Sequence, residues 1–435
     1  MKILNSMRAF ALALAGCCVV ATIALAEQVV IQRHVTVREA PSQRADVLAF
    51  PEVGAALHLL DSGARSSGYY HVTLPDGRQG WVYSTFARRE PDGPALAAGA
   101  LASDRIAVHY INVDQGAAAL LEFPCAAVMI DAGGRGDEAS AHLIAYLDAF
   151  FARRPDLNRR LAAIYITHTH IDHNSNLQAV AQRYGVGVYI HNGLLTGSGK
   201  FPARWMVGFP PNTLAFAPTA TPAIAVREVT EAQVLAAGGG GLSDAQIDPV
   251  ACERVDPKVQ VLSARYDENP GWPDGDFDNG NNQSLVIRVD YGGAAFLFTG
   301  DLEEPAIETL VSRYGSGRLL DVDVYAVGHH GSYNGTTTSL LQAVTPKAAV
   351  ISFGPPTTQK PWTAWAYGHP RRDAVTMLDR GVSGHRPAPI DVLVADRVKV
   401  FSTYHLATAV YGTGWDGDVT ISAGADGVLS IEPGR

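Results

Sequence analysis

The sequence predicts an α/β (α+β) protein, sheets stacked between flanking helices with a small all-β unit in front, and three observations predict it. From about residue 106 onward, strand-like apolar runs alternate with stretches of helical period. Residues 29–89 hold only short alternating runs punctuated by turns. The 43 Gly and 25 Pro among 435 residues suit many short strands and turns better than long helices. With 47% hydrophobic and 18% charged residues the chain can bury a sizeable core, which excludes disordered, collagen-like and coiled-coil classes.

Taken in order, residues 1–26 read as a signal peptide. Lys2 and Arg8 precede an apolar stretch, and Ala24-Leu25-Ala26 closes it as a small-x-small cleavage site. A periplasmic or secreted location is the expectation. Leu14-Ala15-Gly16-Cys17 offers a competing cut that would leave a lipidated Cys17, and an uncleaved anchor helix is a third reading. No later segment predicts a membrane span. Residues 28–90 read as a small β-barrel: Val35 to Arg38 alternate like a strand, and Tyr70 to Leu74 lead through Pro75-Asp76-Gly77 to Gly80-Trp81-Val82. Residues 91–104 have the composition of a linker, and a second domain fills 105–435.

In that domain strands are expected at 106–113, 118–123, 126–130, 162–166, 186–190, 284–289, 294–298, 322–328 and 348–353, and helices at 138–153, 177–184, 303–314 and 337–344. The stretch between His191 and Asn281 shows no clear period, and loops of that length are usually lids or disorder. The formal net charge of −9, more acidic still without Lys2 and Arg8, lacks the electrostatic footprint of a tight duplex DNA binder. Beyond the leader only Cys125 and Cys252 remain, either as one disulfide or as two separate buried thiols.

The sharpest chemical signal is Thr167-His168-Thr169-His170-Ile171-Asp172-His173, directly after a strand-like run. In extended chain, residues i and i+2 project to one side, so His168 and His170 can grip one cation while Asp172 and His173 suit a second. Imidazoles with carboxylates are a ligand set for zinc, manganese or iron. One loop cannot complete two coordination spheres. Asp301 after the run 296–300, His329 and His330 after 324–328, and His369 in Tyr367-Gly368-His369-Pro370 can supply the rest, with Asp301 able to bridge cations about 3.5 to 4 Å apart.

The order HxHxDH, TGD, HHGS and YGHP resembles the metallo-β-lactamase superfamily, and is most similar to the domain in ComEC-type DNA-uptake proteins, over about residue 106 to the C-terminus. Asn112-Val113-Asp114-Gln115-Gly116, Ile130-Asp131-Ala132-Gly133, Asn281-Asn282-Gln283-Ser284-Leu285-Val286 and Gly417-Asp418-Val419-Thr420-Ile421 add to the likeness. The resemblance implies an αββα sandwich with two divalent metal ions, zinc first and manganese second. His168 and His170 would hold one, Asp172 and His173 the other, and Asp301 would bridge. Asn281 and Asn282 stand where many members place a third histidine, so the vacancy goes to His329 or His330, with His369 completing the second site. The other member of the adjacent pair would bind a substrate oxyanion or protonate the leaving group. Asp114 and Ala117 stand where the DNA-uptake proteins commonly have Gly and Asp, and Asp131 reads as a turn or supporting residue. Val37-Arg38-Glu39-Ala40-Pro41-Ser42 and Asp76-Gly77-Arg78-Gln79-Gly80-Trp81-Val82 resemble the bacterial Src-homology-3-like domain, which implies peptidoglycan contact or a ligand-free appendage.

The expected activity is hydrolysis by metal-bound hydroxide, with Asp172 orienting it and Asn282 and Ser332 contacting substrate. Phosphodiesters, in nucleic acid or another phosphate ester, come first as substrates. A β-lactam, lactone or thioester is the alternative, and a cell-wall-binding protein with an idle metal site is the third reading. Arg153, Arg154, Arg159 and Arg160 read as a local basic rim or a solvated helix end. Trp205, Phe209 and Trp272 read as an apolar substrate wall or as core.

Overall fold

The computed structural model describes residues 28–31, 33–52, 55–60, 65–74, 77–90, 104–208 and 224–434. The expected signal peptide with Cys17, the expected linker up to residue 103, and Phe209 lie outside them. The chain divides into two compact units, 1–95 and 96–435. No helix among the described residues is long and apolar enough to cross a membrane.

The first unit is an all-β half-barrel. One antiparallel sheet runs in the order Val47–Ala49, Val37–Arg38, Gln79–Tyr83, Tyr69–Thr73, Ala56–Leu59, Gln28–Ile31, Ala87–Glu90, with Arg65–Ser66 also paired to Tyr69–Thr73. Alternation puts Val29, Ile31, Val37, Leu57, Leu59, Val72 and Val82 on one shared core. Among the described residues no pairing joins the two end strands, and the expected small all-β barrel is present as this half-barrel sheet.

The second unit is an αββα sandwich. One sheet has the order Ala225–Glu228, Gly185–His191, Arg160–Ile166, Ala127–Ala132, Ala118–Glu122, Arg105–Tyr110, Val419–Gly424, Leu429–Pro433. The other runs Lys258–Ser263, Val286–Tyr291, Ala294–Phe298, Val324–Val327, Ala348–Ile351, Val410–Gly412. Both contain parallel pairs, which need crossover connections and covered faces, and Ala127–Ala132 is accordingly buried at every position. Its period-2 alternation divides two cores: Val128 and Ile130 face the layer between the sheets, while Ala127 and Met129 face the helix Gly136–Arg153. That helix buries Ala139, Leu143, Leu147, Phe150 and Phe151, a 3.6-residue stripe, and carries Asp137 and Glu138 in its first turn, where the helix dipole favours acids. Each fully buried Leu or Phe contributes about 1.5–3 kcal/mol. Tyr110 and Phe298 meet across the two sheets with ring centroids 6.1 Å apart. The helices Glu304–Tyr314, Thr338–Val344 and Arg372–Gly381 cover the second sheet through Ile307, Leu310, Leu340, Val344, Val375 and Leu378.

Several elements depart from the sequence reading. The stretch without period contains the helices Lys200–Val207 and Glu231–Ala236 and two sheet strands, Ala225–Glu228 and Lys258–Ser263. A long hairpin, His385–Arg397 with Val400–Thr408, and the last two strands of the first sheet were also not expected. Cys125 and Cys252 are bonded, with their Cα atoms 5.5 Å apart.

Candidate metal centre

The candidate ligands stand at the C-terminal ends of parallel strands, where both sheets open into a cleft. Arg160–Ile166 runs out into Thr167 to His170 and then a short helix, Ile171–Asn174. Residues 167–169 bend as they leave the strand, and His168 and His170 come together with ring centroids 4.6 Å apart. Asp301 follows Ala294–Phe298, and His329 and His330 follow Val324–Val327. Both of these histidines have left-handed φ, +47° and +52°, a backbone that L-residues rarely adopt and that costs of order 1–3 kcal/mol each. Such strain concentrates at functional sites.

Two groups of close donors emerge, His168 with His173 and Asp301, and Asp172 with His173 and His330. Asp301 links them. Its carboxylate lies 3.9 Å from His168 Nε2, 3.2 Å from His173 Nε2 and 3.5 Å from His330 Nε2, and His330 Nε2 is 3.5 Å from Asp172. His168 is fully buried, and its Nε2 has no hydrogen-bond partner. Burial drives its pKa well down, which leaves a neutral imidazole with a free lone pair turned into the cluster. An orphaned buried nitrogen among carboxylates fits a divalent cation bound through nitrogen and oxygen. Burial opposes the charge on Asp301, yet His173 and His330 hold its carboxyl well below the usual range. Burial likewise opposes charge on His330, while Asp301 and Asp172 outweigh it and raise its pKa.

The surroundings fix these groups. Asp131 accepts from the Thr167 backbone N–H at 2.8 Å and lies 2.7 Å from His173 Nδ1, which aims Nε2 of that ring at Asp301. His330 Nδ1 is 2.7 Å from the Ser352 carbonyl oxygen. The Asp172 carbonyl oxygen accepts from the N–H groups of Ala117 and Gly134, so the loops around Asp114 and Asp131 clasp the turn that carries Asp172 and His173. At Gly280 a Cβ would stand 3.3 Å from His170 Nε2, so glycine leaves that nitrogen accessible.

Five expected roles meet a different geometry. His170 lies outside both donor groups, although its ring stands beside that of His168. His369 lies outside both donor groups; its ring stacks beside that of His330 at 6.1 Å and its Nδ1 is 3.4 Å from Gln115, because His330 occupies the place beside Asp172. His329 is the member of the pair outside the cluster, near Asn334 and 3.6 Å from Glu303. Asn282 is sealed in the fold, donating to the Asp276 carbonyl and accepting from the Glu303 N–H, and it is Asn281 that reaches the cleft. Ser332 is buried and donates to Asn334, away from the cleft.

The cleft has a volume of about 510 Å³, and His170, Asp172, His329 and His330 line it together with Arg135, Trp362 and Tyr367. The expected basic rim does not lie there. Arg153 and Arg154 pair with buried Glu122, and Arg159 pairs with Asp148. Trp272 is buried and donates to Thr309, and Trp205 packs against the core beneath the first sheet. The aromatics that do reach the cleft lie in the run Trp362 to Tyr367 before His369, a cluster visible in the sequence.

A family described as the metallo-beta-lactamase superfamily matches residues 111–354. Competence protein ComA of Neisseria gonorrhoeae is 39% identical over 104 residues, 24% of this chain and 15% of that protein. ComE operon protein 3 of Bacillus subtilis is 30% identical over 128 residues, 28% of this chain and 15% of that protein. The chain thus spans a small part of the length of these relatives. Among solved structures, the metallo-beta-lactamase fold protein YhfI from Bacillus subtilis matches with a TM-score of 0.32 at 10% identity, covering 57% of this chain and 86% of that one.

Proposed function

The chain belongs to the metallo-β-lactamase superfamily, whose fold together with the clustered His and Asp side chains supports a metal-dependent hydrolase, and we propose that it cleaves phosphodiester bonds with two divalent cations. The observation that carries this reading is Asp301, one carboxylate whose Oδ2 faces both His168 and His330 and whose Oδ1 faces His173. His168, His170 and Asp301 would hold one cation, and Asp172, His173, His330 and Asp301 the second, zinc or manganese by donor chemistry. A pair of cations held by these residues would supply a water of lowered pKa and polarisation of the phosphoryl oxygens.

The protein's own groups supply the rest. Asp172 is held well below the usual carboxylate range: burial opposes this, and the His330 hydrogen bond and the His173 charge outweigh it. As a carboxylate on the cleft wall it accepts a hydrogen bond from the attacking water and aims it. His329, outside both donor groups but on the cleft wall, donates to the leaving oxygen. The likeness to competence proteins supports a nucleic-acid phosphodiester over other esters.

Two further proposals concern the cellular setting. The Cys125–Cys252 disulfide supports export to an oxidising compartment, periplasmic or extracellular. In the half-barrel, a hollow of about 620 Å³ lined by Phe50, Tyr69, Tyr83, Phe86 and Arg38 supports contact with a cell-wall peptide.

The test is turnover of bis(p-nitrophenyl) phosphate and of nitrocefin by metal-loaded protein, with and without chelator. Phosphodiester turnover that vanishes with chelator supports the proposal. Nitrocefin turnover with an inert phosphodiester overturns it.

A further inference from the structure

Trp362 is an expensive residue to keep where it is. Its backbone sits at φ +66°, a region that bulky L-residues rarely adopt, and its side chain is 59% exposed. It adds little to the core and faces the same cleft as His170, Asp172 and His329. Its neighbours share a chemistry. The Arg135 guanidinium lies 4.8 Å from the Trp362 ring centroid, and Tyr367, 38% exposed, stands 6.4 Å from Trp362. Tyr367 in turn stacks on His369 at 5.8 Å, with the planes 20° apart. Exposed Tyr333 follows Ser332 and carries Arg371 5.7 Å from its centroid. The metal cleft is therefore lined by two flat aromatic faces, Trp362 and Tyr367, with Arg135 beside the first.

That combination recognises a flat ring attached to an anion. Aromatic faces accept bases of any sequence, and neighbouring guanidinium groups neutralise the phosphates between them. A chain of net charge −9 lacks a long basic track, so the footprint is short. We propose that Trp362 and Tyr367 form the stacking platform on which bases flanking the scissile phosphate of a single-stranded nucleic acid rest, with Arg135 contacting an adjacent phosphate. This rests on the phosphodiesterase reading and narrows it, because bases paired within a duplex present no free faces to such a platform.

The experiment is anisotropy-detected binding of a labelled short oligothymidylate, and of an abasic strand of equal length, in chelator so that neither is cut. The wild-type protein is expected to prefer the strand with bases by about tenfold. Trp362→Ala and Tyr367→Ala each shrink that preference, Trp362→Phe retains most of it, and Arg135→Ala weakens both strands alike. Equal affinity of the wild type for both strands, or an unchanged preference in both alanine variants, overturns the platform. Turnover of bis(p-nitrophenyl) phosphate separates the two ideas: turnover without base preference removes the platform and leaves the hydrolase, whereas base preference without turnover supports the platform and removes the hydrolase.

Discussion

Gly133 shows how tightly the centre depends on single atoms. A Cβ built there would stand 1.6 Å from the Asp172 carbonyl oxygen, so any side chain must push away the turn that presents Asp172 and His173. Gly133→Ala is therefore expected to lower phosphodiester kcat/KM by roughly 100-fold, the cost of a displacement near 1 Å at a reacting centre. Steady-state kinetics on bis(p-nitrophenyl) phosphate check this, and a variant with wild-type kinetics would show that the turn tolerates movement. At this scale much of the site was legible: HxHxDH and TGD pointed to residues that the fold brings together. What stayed hidden was the different placing of His329 and His330. It depends on two successive left-handed backbone conformations, which no periodicity announces. The buried amide of Asn282 escaped for a similar reason, since its partners, Asp276 and Glu303, come from separate segments.

Among the elements, the strand Ala118–Glu122 and the end of the helix Gly136–Arg153 are joined by a buried charge network. Glu122 is 1% exposed, receives hydrogen bonds from Arg153 and Arg154, and lies 3.3 Å from His109. Burial alone would raise its pKa, but His109 and the two arginines bring it down from 4.5 to about 2. The folded value lies below the unfolded one, so this contribution is complete above pH 4.5 and is lost as pH falls toward 2. The shift corresponds to about 3 kcal/mol. Thermal unfolding followed through that acid range is expected to show the loss in the wild type and not in Glu122→Gln, which starts less stable because Arg154 keeps a buried charge with one partner fewer. An identical acid limb in both proteins would remove Glu122 from the explanation.

The disulfide acts at the same scale, linking the turn after Ala118–Glu122 to the segment before Lys258–Ser263 across 127 residues of sequence. Opening so long a loop is expected to cost about 2–5 kcal/mol, seen as a lower unfolding temperature in reductant; an unchanged temperature would contradict this. Sequence left the pairing open because nothing local relates two cysteines that far apart. The strands and helices between His191 and Asn281 were illegible for another reason. They are four to eight residues long and separated by turns, too short for either period to accumulate.

For the whole molecule, the sandwich followed from alternating runs and family motifs, because strands covered on both faces are written as nearly continuous apolar text. Charge was harder to place. The arginines that cluster in sequence at 153–160 serve the fold, whereas Arg135, isolated in sequence, stands beside Trp362 at the cleft. Everything proposed for the second unit converges on one carboxylate shared between two sets of imidazoles. The most direct test is metal stoichiometry by equilibrium dialysis with elemental analysis, on the wild type and on Asp301→Asn. Two zinc or manganese ions per chain, falling to one or none in the variant together with phosphodiester turnover, is the predicted result. A wild-type chain that binds no more than one ion, or an Asp301→Asn variant that still holds two, would contradict the account.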